Sequence, residues 1–195
     1  MNQETVGRED GPAQSKIQNP KSKIALLLIL LLAFGLRVYG LEGPSLRGDE
    51  AFSVTFVRLE WGELLRHLQV GEAHPLLYYG SLRLWIQAAG ESELAVRFYS
   101  LLFGVLPVAL IYRLARETLA DQRTAIVAAL LMAINPFVIW HSQDARMYTL
   151  FLATGAASAL FCLRLWRQGS WGIWAGYVLV TIAALFTHYM ALFVL

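Results

Sequence analysis

Pro75-Leu76-Leu77-Tyr78-Tyr79-Gly80-Ser81-Leu82-Arg83-Leu84-Trp85-Ile86-Gln87-Ala88-Ala89 settles how this chain is arranged. The run is apolar enough to enter a bilayer, yet it holds 15 residues and carries Arg83 and Gln87. At 1.5 Å rise per residue such a helix reaches roughly 22 Å, short of a hydrocarbon core of about 30 Å. Runs of that length lie along an interface or re-enter more often than they cross. The charges on either side arbitrate. Longer apolar runs cover Ile24–Leu41, with Arg37 near its far end, and Leu94–Tyr112, with Arg97 at its start. Three more follow: Thr124–Trp140 and Met147–Leu163, both uncharged, and Trp171–Leu195, which holds only His188. If residues 75–89 do not cross, Arg113, Arg116, Arg123, Arg164 and Arg167 all fall in loops on one side, together with the N-terminal lysines. If they do cross, those arginines face outward, against the positive-inside rule. The non-crossing arrangement is therefore expected, with spans at about 24–41, 94–112, 124–140, 147–163 and 171–195.

Composition demands a membrane. Of 195 residues, 57% are hydrophobic and 15% charged, with a mean hydropathy of +0.50. Soluble domains carry about 45–50% apolar residues with glycine counted, and about 25% charged ones. A net charge of +2 is too small for a nucleic-acid binder. The single cysteine, Cys162, allows no internal disulfide. Residues 1–23 are polar and expected to form a disordered tail. Lys16, Lys21 and Lys23 sit directly before the first apolar run and place the N-terminus in the cytoplasm of a plasma (inner) membrane. Arg37 and the further spans argue against a cleaved signal peptide. The chain stops inside an apolar run, so it is expected to be the N-terminal portion of a longer protein.

This arrangement collects chemistry at one surface. Glu42, Asp49, Glu50, Glu60, Glu63, Glu72, Glu91 and Glu93, out of fourteen acids, lie in one outer segment, with Asp144 and the four histidines at or near the same face. Two interfacial helices are expected there. Over residues 49–70, Val57, Trp61, Leu64 and Leu68 form an apolar stripe at helical spacing. The second helix covers 75–89, with Tyr78, Tyr79 and Trp85 as interfacial anchors.

Several residues there can do chemistry. Asp49-Glu50 at a helix start can simply complement the helix dipole, or can act as a carboxylate pair whose partial desolvation raises a base's pKa. Gln143-Asp144-Ala145-Arg146-Met147-Tyr148 follows a helix broken at Asn135-Pro136, an arrangement that is costly at membrane depth unless it lines a cavity. His74 precedes a proline, where a lone histidine is more often a turn residue than a ligand. His188 lies within the last run, where an intramembrane histidine is a functional candidate by default, the alternative being a hydrogen bond inside the bundle. Arg97 opens the second span at the outer face, where it can snorkel to the headgroups or grip a lipid phosphate. No third ligand at motif spacing supports a metal beside Glu63 and His67. A lipid or solute transporter or flippase is the rival reading, but it should keep its key charges near mid-bilayer.

Gly48-Asp49-Glu50-Ala51, His74-Pro75-Leu76-Leu77-Tyr78-Tyr79, Ser92-Glu93-Leu94-Ala95-Val96-Arg97-Phe98, Ser142-Gln143-Asp144-Ala145-Arg146-Met147-Tyr148 and Thr187-His188-Tyr189 occur in that order. Together they resemble the N-terminal part of the dolichyl-phosphate-mannose protein mannosyltransferase-like superfamily, membrane glycosyltransferases of the GT-C fold. The resemblance implies an all-α polytopic membrane protein built as a GT-C-like helical bundle. It implies transfer of a sugar from a polyprenyl-phosphate donor, seated in the membrane lipid, to a hydroxyl acceptor on a lipid, glycan or protein. It assigns Asp49 as the catalytic base, Glu50 to positioning the acceptor, Asp144 to a second acidic position, and Arg97 and Arg146 to the donor phosphate. His74, His188 and Tyr148 fall in family-like motifs without an assigned role. No cofactor is required by this scheme, and some relatives use a divalent cation.

Overall fold

The computed structural model describes residues 20–43, 45–70 and 75–194; the tail before Pro20, Pro44, the Gly71–His74 stretch with His74, and Leu195 lie outside it. Among the described residues the regular structure is all helix, with no strand. The helices are α1 (Pro20–Val38), α2 (Gly48–Arg58), α3 (Trp61–Val70), α4 (Leu76–Ala89) and α5 (Glu93–Leu119). They continue as α6 (Gln122–Ile134), α7 (Pro136–Ser142), α8 (Tyr148–Gln168), α9 (Trp171–Leu185) and α10 (Ala191–Val194). Helices α5 and α8 are each long and apolar enough to cross a membrane, and α6 with α7 makes a third span if that pair, bent by 54°, is counted as one. This is an all-α polytopic membrane protein.

Local chemistry explains where the helices begin. Ser92 caps α5 by accepting from Ala95 N–H at 3.2 Å, and Asp121 caps α6 from Thr124 N–H at 2.8 Å. The α6–α7 break follows from Asn135-Pro136. Pro136 has no N–H to continue the ladder, and Asn135 accepts from Phe137 and Val138 N–H to start the next helix. The carbonyls left over at the end of α6 are taken by α1. Arg37, fully buried, donates to Ala133 O at 2.9 Å and Met132 O at 3.4 Å, and its Nε reaches Ser142 Oγ at 3.1 Å.

Helices α5, α6, α8 and α9 pack side by side, with α1 against α5 and α6. Two glycines permit the closest approaches. A methyl group on Gly104 of α5 would lie 2.1 Å from Ser142 Oγ, and one on Gly176 of α9 would lie 2.6 Å from the Phe161 ring. Outward-facing Leu27, Leu28 and Leu31 of α1 and Leu179 of α9 are exposed apolar side chains suited to lipid.

Four expectations change. Residues 20–23 belong to α1 rather than to a disordered tail. The helix expected over 49–70 is two, broken at Leu59-Glu60, because Arg83 of α4 donates to Val57 O at 3.0 Å and to Leu59 O and so satisfies the last carbonyls of α2. Tyr78 and Tyr79 are not surface anchors; both are fully buried in a cluster with Phe56, Val57, Leu64, Leu82 and Tyr99. The run from Trp171 ends as a helix at Leu185, and a turn carries His188 before α10. Helix α4 itself has 14 residues, roughly 21 Å, and lies against α2 and α5.

Candidate active site

The site is assembled where the start of α2 meets the turn between α7 and α8. Glu50 occupies the third position of α2 and reaches back to accept from Arg47 N–H at 2.9 Å, as the acid of a capping box does. The same carboxylate accepts from Ala145 N–H at 3.0 Å, which ties α2 to the turn. It also forms a two-point pair with Arg97: Nε to Oε1 and Nη2 to Oε2, each 2.8 Å. Arg97 also donates to Leu41 O at 3.0 Å and Ser45 O at 3.2 Å. Glu50 is fully buried and Arg97 is 1% exposed. Burial alone would raise the Glu50 pKa; the Arg97 hydrogen bonds and the two backbone N–H donors outweigh it and hold the carboxylate below its ordinary value.

The turn is gripped from every side. Ala145 gives its N–H to Glu50 and its carbonyl accepts from Tyr78 O–H at 2.5 Å. Ser100 Oγ donates to Arg146 O at 3.2 Å, and the Gln143 amide donates to Tyr39 O at 2.7 Å. Helices α2, α4 and α5 and the end of the α1 segment thus fix a non-helical stretch whose buried backbone would otherwise be left unpaired. Asp144 and Arg146 flank the clamped Ala145.

Around that clamp lie Asp49, Arg146, Asp144 and Arg47. Asp49 is exposed in the first turn of α2. Arg146 Nη1 donates to Asp49 O and to Ser53 Oγ, both at 3.3 Å, and Ser53 Oγ donates to Asp49 O at 3.0 Å. Asp144 is 8% exposed, and Arg47 Nη2 lies 4.0 Å from its Oδ1. Burial pushes the Asp144 pKa up; Arg47 pulls against it, while Glu50 and Asp49 are negative charges near enough to push the same way as burial. The Arg47 guanidinium also sits over the Trp140 ring, 5.2 Å from its centroid. His141, Tyr148 and His188 form an aromatic wall beside this, with centroid separations of 4.4 Å and 6.5 Å along it. His188 Nδ1 accepts from Met190 N–H at 3.1 Å.

The structure therefore brings Asp49, Glu50, Asp144, Arg97 and Arg146 to one place, although motifs nearly a hundred residues apart carry them. It separates their surroundings. Glu50 and Arg97 are bonded to each other and to backbone inside the fold, whereas Asp49 is exposed. Arg47 is the addition: only its place before Gly48-Asp49-Glu50 hinted at it, and its partner Asp144 lies 97 residues on. Among the described residues no group of three His, Cys, Asp or Glu side chains converges as a metal site would require.

No curated protein and no solved structure matches the chain. A family model described as dolichyl-phosphate-mannose-protein mannosyltransferase matches residues 73–195, more than half the chain and including the clamped turn; Asp49 and Glu50 lie before the matched region. With its apolar helices and this match, the chain belongs to the dolichyl-phosphate-mannose-protein mannosyltransferase family, membrane glycosyltransferases of the GT-C type.

Proposed function

We propose that the chain moves a sugar from a polyprenyl-phosphate-linked donor to a hydroxyl acceptor at the outer membrane face, with Asp49 as general base. The observation that carries this reading is the geometry at the α2 start: an exposed carboxylate at a helix N-terminus, with one arginine bonded to its backbone carbonyl and another beside Asp144.

The chemistry follows from those positions. The acceptor O–H gives its proton to Asp49 as its oxygen attacks the anomeric carbon from the face opposite the phosphate. The new carbon–oxygen bond forms while the bond from that carbon to the phosphate oxygen breaks, and the electron pair leaves with the polyprenyl phosphate. Arg146 and Arg47 meet the growing charge on that leaving oxygen, and a fixed cation costs no reorganisation at the moment of transfer. Asp144 sets the Arg47 guanidinium, and the Glu50–Arg97 pair holds α2 against the turn. His188 and Tyr148 shape the adjoining wall.

Asp49→Asn tests the reading. It keeps size and helix start but removes the proton acceptor, and general-base loss costs typically about 10²–10⁴-fold. In membranes carrying the whole protein, sugar transfer should fall by that range while binding of the polyprenyl-phosphate sugar is retained. A variant that transfers at the normal rate would refute Asp49 as the base.

A further inference from the structure

At the opposite end of the bundle from Asp49, the last turns of α5 and α8 and the first turn of α6 enclose a cavity of about 670 Å³. Its lining includes Arg113, Arg116, Arg164 and Arg167 against one acid, Glu117, together with Gln122. Two of the arginines are already placed. Arg164 grips the Glu117 carboxylate from Nε and Nη2, at 3.1 Å and 2.5 Å to Oε1, and Arg167 donates to the Glu117 carbonyl. Those bonds neutralise the acid and set a rigid wall. Among the described residues no hydrogen bond or ion pair engages the Arg113 or Arg116 guanidinium group, both of which line the cavity, and Arg113 acts on Glu117 only through longer-range attraction.

The depth of this cavity is marked by tryptophans. Trp166 in the last turn of α8 is 91% exposed, and Trp171 at the start of α9 is 76% exposed and stacked on Trp174 at 4.9 Å between ring centroids. Exposed tryptophans gathered at one end of a helical bundle sit at headgroup level. The arginine-lined cavity opens at that same end, so the anions nearest to it are lipid headgroups. Arginine's planar fork matches phosphate oxygens better than a point charge does.

We propose that this cavity is a binding site for the phosphate headgroup of an anionic phospholipid, with Arg113 and Arg116 as its ligands and the Arg164–Glu117 pair as its wall. It is separate from the carboxylate site and independent of the chemistry proposed there. Arg123, exposed at the same end but outside the lining, serves as the control for general surface charge.

The test is native mass spectrometry of the chain in detergent, titrated with dioleoylphosphatidylglycerol, dioleoylphosphatidylcholine or inorganic phosphate. Phosphatidylglycerol should bind at least about tenfold more tightly than phosphatidylcholine. The double variant Arg113→Gln, Arg116→Gln should weaken it about thirtyfold, whereas Arg123→Gln should change it less than about threefold. Unaltered affinity in the double variant, or an equal loss with Arg123→Gln, overturns the site. Inorganic phosphate binding as tightly as the lipid would reassign the cavity to a soluble anion. On the unaltered chain, raising NaCl from about 50 to about 500 mM should release phosphatidylglycerol selectively. Release that ignores salt contradicts the proposal without any variant having to fold.

Discussion

Glu50 shows how one buried side chain can hold this site together. Its carboxylate accepts from Arg97 twice and from the N–H groups of Arg47 and Ala145. Removing one partner of a buried pair leaves the other charge without compensation, which costs about 3–5 kcal/mol. Glu50→Gln should therefore lower the melting temperature of the purified chain sharply, and Arg97→Met should do the same. The pH dependence has a definite sign. Because the folded carboxylate is held below its ordinary 4.5, its contribution to stability is complete above that value and is lost as pH falls through the lowered one. Melting curves taken from neutral pH downwards should show this loss in the wild type, and Glu50→Gln should lack that part of the slope. A variant as stable as the wild type at neutral pH would mean that the pair is not what fastens α2. From sequence, Asp49 and Glu50 are indistinguishable neighbours. One helical step of about 100° separates them, and it sends one carboxylate to solvent and the other into the core.

The helices themselves were legible wherever their causes are local. In the sequence Asn135-Pro136 announces a break, and in the fold Ser92, Asp121 and Ser170 cap the starts of α5, α6 and α9. What could not be read is a helix end satisfied from far away. The α2–α3 break has neither glycine nor proline; it exists because Arg83, 24 positions beyond Leu59, takes the freed carbonyls. The end of α6 is likewise taken by Arg37, 96 positions before Ala133. Both arginines read in sequence as lone charges in apolar runs, and their partners become visible only once the chain is folded. The same remoteness governs α5 against α7. Gly104 admits Ser142, whose hydroxyl accepts from Arg37 and donates to Val138 O at 2.6 Å. Gly104→Ala should push that hydroxyl aside and cost about 1–3 kcal/mol, the usual range for overpacking. A thermal melt in detergent should show it as a fall of several degrees. No fall would mean that α5 and α7 can separate by an ångström without loss.

Across the whole molecule the charges divide between the two ends of α5. Asp49, Glu50, Asp144, Arg97 and Arg146 gather near its start, and Arg113, Arg116, Arg164 and Arg167 near its end. The 27 residues of α5 put those ends roughly 40 Å apart, the thickness of a bilayer with its headgroups. Helix α1 runs alongside α6 with Ile29 and Ala33 among Ala125, Ala129 and Ala133, so Lys21 and Lys23 lie towards the arginine-rich end. The positive-inside rule predicts that this end faces the cytoplasm. Impermeant thiol labelling of intact cells measures this directly. With exposed Cys162 replaced by serine, a cysteine at Glu42 should be labelled and one at Thr118 should not. Both positions are exposed, so a failure to react reports sidedness rather than burial. The reverse pattern would turn the carboxylates towards the cytoplasm, and the donor and acceptor would then have to be supplied from that side. Labelling at both positions would mean that α5 does not cross as one span, and the separation of a carboxylate end from an arginine end would lose its membrane meaning.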